Sequence, residues 1–549
     1  METKNNTYQI LILSVFILLY SLVEIKATEY YVSPSGNDSN SGTSAQAAWR
    51  TIDKVNTVDL NPGDSVFLEA GHDYPGNLLL TAEDAGTLTQ PVVIGSYGSG
   101  RARIKAGNGS GVDVQNADGV EVKDIIVTGD DNRTNDGCGI VFSNVLPNNQ
   151  KLHYIKVHNV EASGFQFGIW VGEWTEDKSK SGYKDVRITN CVTYQNKRDG
   201  ITIMGCYPDD PNNYANSNVY VGYCKSYDNP GDPEYLESHS GSGILMAEVD
   251  GGVIEYCEVY NNGYDCRAYH GPVGIWTWRV NNVIIQYCES HHNHGGESQD
   301  GHGFDFDGGT SNSIMQYNYS HDNDRAGYLI CSHKNHTPHT YNNNIFRYNI
   351  SVNDCQKAGS GGICFWSGSP EDDPICNTQI YGNTIYSSTG PAIVFWQKKG
   401  IYNTTVFNNL FITTNNKQLV QGNPDKSMAI FAGNAYWAID SKYDIAGYES
   451  LKEWRKATGQ EMLNGKPVGT VVDPKLIDIG NNVTVGDPTK LHTLTAYQLQ
   501  KDSPLIDAGV DPRSLFGLDP GEKDFYGNSI PQGKNFDIGA HEIPLEPQE

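Results

Sequence analysis

The chain has few basic residues, little methionine and no apolar run long enough to cross a bilayer. Lys and Arg number 39 against 65 Asp and Glu, a net charge of -26 over 549 residues. Nucleic acid is thereby excluded as a partner, because phosphate binding needs clustered positive charge. An anionic substrate stays open, since a local basic pocket or a bridging cation can hold one. The one apolar run, Ile10 to Val23, is short for a membrane span and has only Lys4 as a basic region ahead of it. It reads as a secretory signal over residues 1–27, cut near Ala27, with no cysteine placed to take a lipid. The expected mature chain is exported, has no transmembrane segment and is a monomer. Long helical patterns are also scarce, and charged residues make up only 19%. With 59 glycines and abundant Asn and Tyr, that composition favours a repeat over several ordinary domains.

After the signal, Tyr30 to Asp38 reads as a strand entering a turn, Thr51 to Val55 as a short helix, and Ser65 to Leu68 as a strand after the turn Pro62-Gly63-Asp64. A unit then recurs. One half ends at a fixed position occupied by Asn159, Cys191, Cys224, Cys257, Cys288, Asn318, Asn349, Asn383 and Asn409. The other half is a small residue followed by alternating apolar residues: Gly139-Ile140, Gly168-Ile169, Gly200-Ile201, Gly243-Ile244, Gly274-Ile275, Gly303-Phe304, Gly327-Tyr328, Gly362-Ile363 and Ala392-Ile393. Short strands that recur without long helices can bury their apolar faces only against the next copy. This predicts an all-β fold, a parallel β-helix, in which equivalent residues form columns about 4.8 Å apart. The Asn column becomes an internal ladder at a turn, and the four cysteines within it are expected to pack as small buried residues.

The opening Tyr30 to Asp38, Pro62-Gly63-Asp64, the Asn ladder and the Gly-led strands together resemble the secreted bacterial right-handed β-helix proteins of the pectate-lyase-like superfamily, over residues 28–437 with an N-terminal cap. The resemblance implies carbohydrate substrates, handled mainly by lyases and glycoside hydrolases, and a secreted or periplasmic location. Residues 438–549 are expected to form a C-terminal capping region containing a short helix at Tyr448 to Lys456, since an open solenoid end would expose strand edges.

Registering the coils on their glycines lines up outward-facing residues. The second position after the glycine reads Trp170, Thr202, Leu245, Trp276, Asp305, Leu329, Cys364 and Val394; the fourth reads Gly172, Met204, Ala247, Trp278, Asp307, Cys331, Trp366 and Trp396. Glu248, Arg279, His333, Lys334 and Lys398 stand where those strands enter their loops. The result is a groove with Asp305 and Asp307 at its floor and Trp276, Trp278, Trp366, Trp396 and Lys398 as substrate-binding residues. Flat aromatic faces suit sugar rings, and charged groups suit their hydroxyls and acids.

Two reactions fit this groove. In β-elimination from a uronic-acid-containing glycan, Lys334 is the base, Arg279 assists the leaving oxygen, and His333 and His302 lie beside them. Asp305, Asp307 and Glu248 then hold Ca²⁺, a hard cation that prefers carboxylates, which neutralises the substrate acid. This resembles the calcium-dependent β-helix polysaccharide lyases, and the same chemistry at a non-reducing uronic acid is a dehydration. The alternative is an inverting glycoside hydrolase using Asp305 and Asp307, whose Cα atoms two positions apart on a strand are about 6.7 Å from each other. Gly301-His302-Gly303 resembles the Gly-His-Gly of β-helix polygalacturonases, but the paired Asp and Arg-Ile-Lys segments are absent, so no role is carried over. A non-catalytic glycan-binding β-helix is the third reading. His291, His292, His294 and His321 read as surface residues of polar turns.

Overall fold

The computed structural model describes residues 27–173, 175–207, 213–333, 339–357 and 359–544. The chain is a right-handed parallel β-helix of about 13 turns. Each full turn carries three strands. The first is the Gly-led strand, and its register runs Ile140, Ile169, Ile201, Ile244, Ile275, Phe304, Tyr328, Ile363, Ile393 without a slip. These apolar side chains point inward and are at most 1% exposed, so the alternating pattern in the sequence is the core column itself. A second strand follows, with Ile155, Val186 and Val219 in register. The third is three residues long in most coils and belongs to a separate 14-stranded sheet.

The corner between the second and third strands explains the Asn–Cys column. One residue there has a left-handed backbone: Asn159, Asn190, Tyr223, Tyr256, Tyr287, Tyr317 and Tyr348 all have φ between 50° and 60°. The next residue turns inward. Asn318, Asn349, Asn383, Asn409 and Asn434 form a ladder in which each side chain donates to the next Asn and accepts from the coil below. Glu461 ends it, accepting from Asn434 and from Tyr436. Asn159 is one residue out of register: Val160 occupies the inward position and pairs in sequence with Cys191. All eleven cysteines are free, and Cys191, Cys224, Cys257 and Cys288 are buried in the column with their thiols directed at backbone carbonyls. A second ladder at the next corner, Asn196, Asn229, Asn262, Asn293, Asn323 and Asp354, is not marked by any spacing read from the sequence.

At the N-terminus Glu29–Val32 pairs with Ser65–Glu69, and the helix Ile52–Val55 is capped by the Thr51 hydroxyl. At the other end the helix Leu451–Thr458 lays Trp454 against Phe431 and Tyr436, covering the last coils. The remaining tail does more than close the end. It runs back along the third face, where Leu491, Tyr497 and Leu499 pack with Tyr319, Ile350 and Val352. Among the described residues no helix is long and apolar enough to cross a membrane.

Candidate active site

Residues that leave the Gly-led strands outward form the floor of a cleft of about 1230 Å³. The columns are those read from the sequence: Trp276, Asp305 and Leu329 are paired neighbours, as are Ala247 with Trp278 and Cys331 with Trp366. Long loops raise the walls, bringing in Tyr207, Tyr235, Glu237, His239, Tyr269, His270 and Asp300. They bury Trp276 and Trp278, the former with the His239 ring edge-on and its indole N–H on Ser242. Trp366 is partly open, and Trp396 is 48% exposed.

Three carboxyl groups meet here in different surroundings. Asp305 is 3% exposed, and its Oδ1 has no hydrogen-bond partner among the described residues. Burial, and then the charges of Asp307 and Asp300, push its carboxyl well above the ordinary value. It therefore holds a proton in conditions where a surface aspartate has lost its own. Asp307 is half-buried at the cleft surface and accepts the Gly308 N–H at 2.6 Å. Asp300 comes from the loop before the strand. Burial works against its charge, but the His302 hydrogen bond and the Gly271 N–H help hold it below the ordinary value. His302 Nδ1 accepts the Ala326 N–H at 3.0 Å, so the ring proton sits on Nε2, 3.2 Å from Asp300 Oδ1. Asp300 was missed in the sequence because nothing in the strand period marks a loop residue as facing the same cleft.

The remaining sequence-predicted residues separate. His302 and His333 line the cleft with the three acids. Lys334 lies outside the described residues. Lys398 is not among the lining residues. Arg279 and Glu248 turn away and bury themselves: Arg279 Nε donates to Glu248 at 2.5 Å, and Lys180 Nζ pairs with the same carboxylate at 3.2 Å. Both have left-handed backbone, φ 50° and 54°, which redirects the side chain as the strand bends into the second face. Two strands of 14 residues, Ser242–Glu255 and Val273–Gln286, run through this bend, so the position that looks like a loop entry is interior. The three acids expected for Ca²⁺ therefore do not converge. Glu248 is committed to two cations and burial raises the Asp305 carboxyl well above its ordinary value, which does not fit a cation that takes six to eight oxygens.

His291 and His321, read as surface residues, are buried on the opposite sheet, where their rings stack at 4.7 Å. Two sets there, Glu289-His291-His321 and His292-His321-Asp322, bring possible ligand atoms within 4.8 Å of one another. His321 is already bonded to Asp322 and Glu289, and Glu289 accepts the Val485 and Gly486 N–H groups of the tail. The column fastens the tail to the solenoid.

Comparison with known proteins agrees with this architecture. The family described as the right-handed beta helix region matches residues 234–385. A lacto-N-biosidase of Bifidobacterium longum subsp. longum is 25% identical over 485 residues, covering 71% of this chain and 29% of that protein. The chain thus spans less than a third of that relative's length. The crystal structure of a GH136 lacto-N-biosidase from Eubacterium ramulus matches with a TM-score of 0.52 at 20% identity, over 76% of this chain and 67% of that one. A pectate lyase structure matches at 16% identity with a TM-score of 0.40, over 94% and 97% of the two chains. At 20% identity the match to the Eubacterium ramulus structure shows the fold alone, a right-handed parallel β-helix.

Proposed function

We propose that this chain is an exported glycoside hydrolase that cuts an oligosaccharide or polysaccharide by acid–base catalysis at Asp305 and Asp307, with Asp300 beside them. The observation that carries the reading is the contrast between neighbouring carboxyls on one strand. Asp305 retains a proton because it is desolvated beside two anions, whereas Asp307 faces the cleft with a backbone N–H on its carboxylate. Hydrolysis of a glycoside needs such a pair, a donor for the leaving oxygen and a base or nucleophile at the sugar carbon. The lacto-N-biosidase similarity supports hydrolysis. Elimination has less support, since Arg279, expected to assist the leaving oxygen, is sealed against Glu248.

In this scheme the substrate lies along the solenoid axis. Trp366 and Trp396 offer ring faces on one side of the acids, and Tyr207, Tyr235 and Trp170 on the other. Asp305 protonates the glycosidic oxygen while Asp307 activates water on the opposite face of the ring. His302 fixes the position of Asp300.

The test is incubation with a panel of oligosaccharides and acidic polysaccharides, following both new reducing ends and the ultraviolet absorbance of an unsaturated uronide. Hydrolysis gives the first without the second. Asp305→Asn is expected to keep activity on aryl glycosides with acidic leaving groups, which need no proton, whereas Asp307→Asn loses both activities. Unsaturated product from any substrate, or full activity in Asp307→Asn, would overturn the reading.

A further inference from the structure

Among 65 acidic and 39 basic residues, several arginines of the described chain are held by a carboxylate: Arg101 by Glu161, Arg103 by Asp73, Arg133 by Asp265, Arg267 by Glu297, Arg279 by Glu248 and Arg513 by Asp511. Arg198 is different. It lines the cleft, and no acid of the described residues lies within ion-pair distance of it. Its guanidinium sits 4.0 Å from the ring centre of Tyr235 and 5.0 Å from that of Phe167. The Nε is shielded from solvent and has no hydrogen-bond partner among the described residues. Its backbone is locked into the coil, with its N–H on Gln166 at 2.8 Å and its carbonyl accepting from Gly241. The adjacent Asp199 does not serve it, because that carboxylate accepts the Ser242 N–H at 2.8 Å and the Thr202 hydroxyl at 3.2 Å.

A strongly acidic protein that leaves one guanidinium uncompensated inside a cleft, flat against two aromatic rings, has prepared a planar donor for an anion. Stacking fixes the plane of the fork before a ligand arrives, which removes much of the ordering cost of binding. Arg198 precedes the strand Asp199–Ile203, and three strand steps, through Ser242 and Val273 to His302, separate it from the coil of the catalytic acids. At about 4.8 Å per step that is about 14 Å, further than a single sugar ring reaches. We infer that Arg198 is a subsite for an anionic substituent, a carboxylate or a sulfate, on a sugar unit further along the glycan than the one that is cut. The substrate class is therefore an acidic glycan, and this rests on the hydrolase reading of the same cleft. A protein of net charge -26 repels such a chain at long range, so the contact has to be local and bidentate.

The experiment is a titration of the intact protein with galacturonic acid, galactose 6-sulfate and galactose, followed by saturation-transfer NMR. These single sugars need no cleavage to report binding. Expected is affinity for at least one of the two anions roughly ten- to a hundredfold above that for galactose, the range set by one charged hydrogen-bonding pair. Whichever anion binds more tightly identifies the substituent. The preference should shrink at high salt, vanish in Arg198→Ala and fall partway in Arg198→Lys, which keeps the charge but loses the planar fork. Equal binding of all three sugars by the unaltered protein, or a preference that survives in folded Arg198→Ala, overturns the inference. Failure of the hydrolase reading shows separately, as no new reducing ends from any glycan, and leaves the titration interpretable.

Discussion

Replacing Asp305 by Asn should make the protein more stable, and increasingly so as pH rises. In the folded state burial and the charges of Asp307 and Asp300 lift this carboxyl well above the ordinary value of 3.8, whereas the unfolded chain restores that value. Between the two values the folded protein binds a proton that the unfolded chain has released, so stability falls with rising pH. For one such group the limiting slope is about 1.4 kcal/mol per pH unit, starting near pH 4 and ending where folded Asp305 finally ionises. Asn has nearly the same shape and no proton to lose, and every other titrating group is shared by the two proteins. The difference in unfolding free energy should therefore be small at pH 4 and widen through pH 5 and 6, reaching a plateau above the folded pKa. Urea unfolding of both proteins at each pH, followed by tryptophan fluorescence, measures it. A difference that stays flat from pH 4 to 7, or that favours the native Asp305 as pH rises, would refute the assignment of a proton-retaining carboxyl to the cleft floor. The same substitution should reduce hydrolysis of unactivated glycosides by roughly 10² to 10⁴-fold, the usual range for a general acid.

Glu248→Gln should destabilise the fold by about 3 to 5 kcal/mol, because Arg279 and Lys180, both buried, would lose the carboxylate charge they share; denaturant midpoints check this, and kcat for the surviving folded fraction should change little. Asn349→Ala breaks the ladder by removing its donation to Asn383 and Met315 and the acceptor for Asn318, so at least about 2 kcal/mol should be lost, again read from denaturation. Trp396→Ala, at the open end of the cleft, should raise KM for long glycans more than it lowers kcat, while stability changes little because the ring is 48% exposed.

Strand period alone gave the solenoid and its register. Once Gly139 through Ala392 are aligned, the pairing of Trp276 with Asp305 and of Cys331 with Trp366 follows, because successive side chains of a strand alternate faces and parallel coils stack equivalent positions. The acids of the cleft floor and the aromatic columns beside them were legible for the same reason. The corner residues were less so. Asn159 and Val160 differ by one position, and only the left-handed backbone at Asn159 shows which of them turns inward.

Position along the coil was therefore set by the sequence, and depth by the tertiary structure. Arg279 and Glu248 stand at the rim in any linear register, yet a left-handed residue in each 14-residue strand swings them into a sealed ion pair. Asp300 and Arg198 lie outside the alternating part of their coils, so no periodicity points to them; packing brings one beside His302 and the other against Tyr235. Burial also separates the two acids. Asp305 and Asp307 are the same residue type two positions apart, and only the loops folded over the cleft give one a raised pKa and leave the other facing the cleft, because the energy of a charge depends on the surroundings that the whole fold builds around it.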